Sequence, residues 1–148
     1  MNRALLLLVV AAASVSAAPS TCLSALSSAH MKLVELAAGT CKEKYWTADY
    51  SFSSDRNCSY MYGLAPHNVE FCDPIVMNYM KCILKTSGLL KADGSFDDTA
   101  FKKTTLQNKC TSDTKFSTAY QPCRDSTMKY LNYLRFVYCL HGKFEPIT

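Results

Sequence analysis

The residues with the most chemistry to offer are eight cysteines, at positions 22, 41, 58, 72, 82, 110, 123 and 139. Cysteine can close disulfides, hold metals or act as a nucleophile, and spacing discriminates among these. A zinc site needs ligands in close pairs such as C-x-x-C, and no two cysteines here lie closer than Cys72 and Cys82. No metal ligand set and no cofactor is therefore expected. An even count beside an export signal reads as four disulfides, involving Cys22, Cys41, Cys58, Cys72, Cys82, Cys110, Cys123 and Cys139. Eight cysteines admit many pairings, and spacing alone selects none of them. Each bridge should stabilise the fold by roughly 2–4 kcal/mol.

The other chemistry-bearing residues are sparse. No G-x-S-x-G or H-E-x-x-H occurs. A secreted phospholipase would carry a Cys-Cys pair followed by His-Asp, and neither dipeptide is present. Lysozymes match the cysteine count, but they place two cysteines only three residues apart, which this chain does not. Glu35 and Asp49 are the acid pair such an enzyme would need, yet Glu35 falls mid-helix beside lysine. Lys91-Ala92-Asp93-Gly94-Ser95 resembles a calcium loop until Leu89, where an acid is required; it reads as a turn. His30 lies on the apolar face of a helix, His67 follows Pro66 in a loop, and His141 ends the last helix, where the helix dipole favours its charged form. Asn57-Cys58-Ser59 fits a glycosylation sequon with cysteine in its middle position. No enzyme activity is expected.

Length and composition bound what must position these residues. The chain has 148 residues, 49% hydrophobic and 19% charged, enough for one domain. Sixteen Lys and Arg against twelve Asp and Glu leave +4, with the cations scattered rather than gathered in a stripe, so no nucleic-acid partner is expected. Met1-Asn2-Arg3 followed by the apolar run Ala4–Ala13 and by Val15-Ser16-Ala17 has the form of a secretory signal peptide over 1–17. The run is too short for a membrane span of roughly 20 residues, and no second one follows, so no membrane insertion is expected. The domain is then 18–148, secreted and extracellular.

The periodicity is helical. Leu23, Leu26, His30, Leu33 and Leu36 repeat at three- and four-residue steps before Gly39, with Cys22 near the start and Cys41 past the end. Residues 42–57 are polar and aromatic and read as loop or short helix. Asp73 and Pro74 can open a second helix carrying Ile75, Val76, Tyr79, Met80, Ile83 and Leu84, which Gly88 closes. After Asp93-Gly94, Asp97 or Asp98 can start a helix bearing Phe101 and Leu106. A short helix over Asp113–Tyr120 precedes Pro122, and a last one, capped by Asp125, carries Met128, Leu131, Leu134 and Tyr138 to Gly142. The fold class is all-α: a disulfide-linked bundle of five to seven helices. Repeated methionines (Met61, Met77, Met80, Met128) and apolar groups on more than one helix face point toward a lined apolar cavity.

The run Tyr79-Met80-Lys81-Cys82-Ile83-Leu84-Lys85-Thr86-Ser87-Gly88-Leu89-Leu90, followed by Asp93-Gly94-Ser95-Phe96-Asp97 and Phe101, resembles the insect odorant-binding protein family. There a cysteine-bearing helix runs into a Gly-Leu-Leu turn, an Asp-Gly-x-Phe-Asp stretch and another helix. The likeness loosens from Cys110 to Cys139 and is hard to trace from Ala18 to Phe71. Members usually have cysteines where this chain has Asn78 and Tyr130; those two are normally bonded, so their joint absence is that of one lost bridge. The resemblance implies that Cys110 pairs with Cys139 and Cys82 with a cysteine on or near the first helix, taken as Cys41, leaving Cys22, Cys58, Cys72 and Cys123 for two private bridges.

It further implies a non-enzymatic carrier whose helices enclose a small hydrophobic ligand: an odorant, a pheromone, a fatty acid or another lipid. Met77, Met80, Leu84, Phe101, Leu131, Leu134 and Val137 would line the cavity, with the tail Phe144-Glu145-Pro146-Ile147 as a lid. The alternative on the same scaffold is a salivary or venom-type protein that scavenges a host mediator or binds a receptor or host protein. A charged residue facing an aromatic cage would mark an amine scavenger. A broad exposed apolar patch would mark a protein partner.

Overall fold

The computed structural model describes residues 20–63 and 65–144. The signal segment expected at 1–17 and the tail residues Glu145, Pro146 and Ile147 lie outside them. Six α-helices follow one another: α1 Thr21–Leu36, α2 Lys42–Ser54, α3 Val69–Thr86, α4 Asp98–Ala100, α5 Thr114–Thr127 and α6 Tyr133–Gly142. Extended pairing among the described residues is limited to an isolated bridge between Leu90 and Phe96. No described helix is long and apolar enough to cross a membrane.

The helix ends follow local capping chemistry, with four corrections to the sequence expectation. Ser20 Oγ accepts from the Leu23 amide at the head of α1. Beyond Leu36 the chain widens into a π turn over Ala37–Cys41 and kinks at Gly39. It then resumes as α2, where a loop or short helix was expected. α2 reaches the core mainly through Phe52 and leaves Trp46 and Tyr50 exposed, so it shows no apolar stripe to read. Helix α3 begins earlier than Asp73: Asn68 caps it by accepting from the Phe71 amide, and Asp73 is buried within it. Asp97 caps α4, whose coil continues as a π turn over Phe101–Thr105. Asp113 caps α5, which runs through Pro122 to Thr127 instead of stopping before it. The last helix opens not at Asp125 but at Asn132, whose side chain accepts from the Arg135 amide. Between α5 and α6, Leu131 takes φ 60°, a left-handed turn that reverses the chain.

Aromatic rings fill the centre. Phe101 lies 5.4 Å from Phe136, 5.7 Å from Phe96 and 5.9 Å from Tyr133 between ring centroids, and Tyr120 meets Phe136 edge-on at 5.5 Å. Four disulfides, packed into the core, cross-link the elements and leave no described cysteine free. Cys22–Cys110 ties the head of α1 to the turn before α5, Cys41–Cys82 ties the π turn to α3, and Cys58–Cys72 ties the 55–68 loop to α3. Cys123–Cys139 joins α5 to α6. Cys41–Cys82 is as expected, but the Cys110–Cys139 pairing is not formed. Cys110 stands with its Cα 4.5 Å from that of Cys22, while packing of α5 on α6 sets Cys139 opposite Cys123.

Candidate functional site

The helices that follow the Asp93-Gly94 turn frame a half-open cleft of about 590 Å³. One wall is a single face of α4 and its π turn, where Thr99, Lys102, Lys103 and Leu106 recur at three- and four-residue steps. The opposite wall is a face of α5, contributed by Phe116, Ser117, Tyr120 and Gln121. Cys110 and its bridge to Cys22 close the back. Gln107 and Asn108, both with positive φ (52° and 56°), turn the chain sharply enough to bring α5 beside α4.

Chemistry is divided between the floor and the rim. Leu106, Phe116 and Tyr120 are almost fully buried and give an apolar floor, with the rings of Phe116 and Tyr120 5.3 Å apart. At the rim, the Lys102 ammonium stands 3.9 Å from the Tyr120 ring centroid, a cation–π contact. The two walls are clamped by one carboxylate: Asp98 accepts from Tyr120 Oη at 2.7 Å and from Arg124 Nε and Nη2 at 2.8 and 3.1 Å. Burial opposes its charge, but the Arg124 and Tyr120 bonds prevail and hold its carboxyl below the usual range. Burial and the same bond push the Tyr120 hydroxyl up.

A second cluster has the residue types of an acid–base site. His67 Nε2 meets Asp73 Oδ1 at 2.8 Å, and Asn132 Nδ2 donates to the same oxygen at 2.6 Å. The Ser59 amide donates to His67 Nδ1 at 3.1 Å, so that nitrogen is the acceptor and Nε2 carries the proton given to Asp73. Arg135 Nη1 donates to the Ser59 carbonyl at 2.6 Å and its guanidinium covers Tyr62. Burial and Arg135 lower the His67 pKa against the pull of Asp73. Both ring nitrogens are engaged, and the His67 and Asp73 side chains are 2% and 0% exposed. The cluster therefore fastens the 55–68 loop to α3 and α6 and offers no face to a substrate.

The remaining sequence candidates are placed as follows. Met80, Leu84, Phe101 and Val137 are fully buried in the packed core, and Leu134 is nearly so. Met77 and Leu131 border a shallow depression shared with Lys81, Asp93, Arg124 and Lys129. Phe144 packs half-buried against the core. None of these eight lines the cleft. Asp49 accepts from Tyr60, and Glu35 is exposed on α1. Asp93 binds the Ser95 amide and hydroxyl, which is turn chemistry. His30 packs on Tyr138 at 4.6 Å, and burial followed by His141 lowers its pKa. No group of three or more His, Cys, Asp or Glu that could hold a metal occurs among the described residues. The cleft residues Lys102, Lys103, Leu106, Phe116 and Tyr120 were not among the site residues expected from the sequence. Their available signals were the adjacent lysines in a chain of scattered cations and the i,i+4 aromatic pair.

No protein-family model, curated protein or solved structure matches this chain.

Proposed function

We propose that this chain is a secreted, non-enzymatic carrier of a small hydrophobic ligand, a divergent protein on an odorant-binding-protein-like scaffold. The observation that carries the reading is the cleft, with its buried floor of Leu106, Phe116 and Tyr120. Its volume, about 590 Å³, falls within the range of small-molecule sites. Walls clamped by Asp98 and backed by Cys22–Cys110 are pre-formed, which lowers the ordering cost of binding. The leader pattern at 1–17 and four closed disulfides support export to an oxidising compartment. The Gly88-Leu89-Leu90 turn, the stretch that follows it and the Cys41–Cys82 bridge support the scaffold assignment. The scavenging of an amine is disfavoured, because the charges lining the cleft are cationic and Asp98 is already engaged.

The test is uptake of the neutral fluorescent probe N-phenylnaphthylamine by the oxidised protein. Ser117→Trp places a bulky ring at the exposed mouth of the cleft and should weaken uptake about tenfold or more without changing the helical signal. Absence of uptake by the folded parent protein would refute the carrier reading. Unchanged uptake by the variant would move the site elsewhere.

A further inference from the structure

The geometry points to a single-chain anionic amphiphile as the occupant of this cleft, with its acidic head group held at Lys102 and Lys103 and its hydrocarbon tail laid over Tyr120, Phe116 and Leu106. The inference rests on the carrier reading and narrows it to one ligand class.

The charge balance around the cleft is one-sided. Its lining contains two lysines and no carboxylate. The acids of the adjoining segments are already committed: Asp97 caps α4, Asp113 caps α5, and Asp98 takes the guanidinium fork of Arg124 together with the Tyr120 hydroxyl. Lys102 and Lys103 form no salt bridge among the described residues, whereas Arg124 and Lys129 do. Lys102 is an exposed residue whose tip leans on the cleft wall. Its ammonium lies over the Tyr120 ring at 3.9 Å, which puts the charge at the junction between the apolar floor and the open rim. Lysine methylenes can lie along apolar surface while the charged tip stays at the edge, so one side chain serves both tail and head. An ammonium meeting a carboxylate or sulfate forms a charge-assisted hydrogen bond, stronger than the neutral one an alcohol head group would make. A neutral ligand would fill the floor but form an ion pair with neither lysine.

Competition against N-phenylnaphthylamine tests this with dodecanoate, dodecyl sulfate, dodecanol and dodecyltrimethylammonium, which share a tail and differ in the head. The two anions should displace the probe at concentrations about tenfold below dodecanol, with the cationic amphiphile weakest. In the double variant Lys102→Gln, Lys103→Gln this preference should vanish, the anions falling to the level of dodecanol measured in the same variant, and added salt should shrink it in the parent protein. Lys85→Gln, an exposed lysine outside the cleft, should leave the preference intact. Equal displacement by dodecanoate and dodecanol would overturn the inference and leave the carrier standing. An anion preference that survives in the double variant would overturn the assignment to these lysines. Failure of the probe to bind would overturn both.

Discussion

At the scale of single residues, two histidines are held neutral in surroundings that resist protonation. His67 has a buried side chain near Arg135 and accepts the Ser59 amide; His30 is half-buried against Tyr138, near His141. Each has a folded-state pKa below the ordinary 6.5, so the unfolded chain binds more protons in the window beneath that value. Stability therefore rises with pH through that window and falls on acidification. The thermal midpoint should drop steadily as pH is lowered below about 6.5, well before carboxylates titrate. His67→Gln should show a shallower loss over the same range, starting from a stability about 1–3 kcal/mol below that of the parent at neutral pH. An identical pH profile in the variant would remove His67 from the account. The composition of this cluster was unreadable beforehand, because Ser59 and His67 come from the 55–68 loop, Asp73 from α3, and Asn132 and Arg135 from the start of α6, and only the fold assembles these three segments. His30, in contrast, was visible as a polar residue on an apolar helix face.

At the scale of elements, legibility tracked how each helix is buried. Helix α3 was read because Val76, Tyr79, Met80, Ile83 and Leu84 face one core, and its end was marked by Gly88 at φ 70°. Helix α2 was not, since Phe52 is its single fully buried side chain while Trp46 and Tyr50 face solvent. Competing caps account for the shifted starts: Asn68 displaces Asp73, and Asn132 displaces Asp125. The cleft stayed hidden for a related reason. Phe101 and Lys102 are neighbours in sequence, and the helical turn sends one into the core and the other to the rim. Asp98 is the joint between the two walls. Asp98→Asn loses the charge that fixes Arg124, and with both side chains about a third exposed it should cost about 1 kcal/mol, measured by denaturant unfolding. The Asp98 carboxyl has a lowered folded-state pKa, so its contribution is present above about 3.8 and lost as pH falls through the folded value. Asp98→Asn should abolish that part of the acid loss and leave the histidine part in place.

At the scale of the whole molecule, the bridges add to the packed core by constraining the unfolded chain. Cys22–Cys110 spans 88 residues and Cys58–Cys72 spans 14. Replacing the first pair by alanine should cost about 4–5 kcal/mol and the second about 3 kcal/mol, an order that equilibrium unfolding of the two variants would check. The inner bridges shorten the loop that the outer one closes, so the first figure is an upper value. The count of bridges was legible from the cysteines; the partners of Cys110 and Cys139 were not, because pairing follows the packing of α5 on α6. The connectivity also has a consequence for cutting the chain. Three rings are nested, 58–72 within 41–82 within 22–110, and the fourth, 123–139, stands apart. No bridge crosses the stretch from Thr111 to Pro122, so two covalently closed modules hang on one strand of backbone. A protease that nicks between Cys22 and Cys110 leaves one molecule on a non-reducing gel. A single nick after Lys115, an exposed lysine, leaves two. That tether is also a wall of the cleft, and a ligand lodged against Phe116 and Tyr120 should slow its severing.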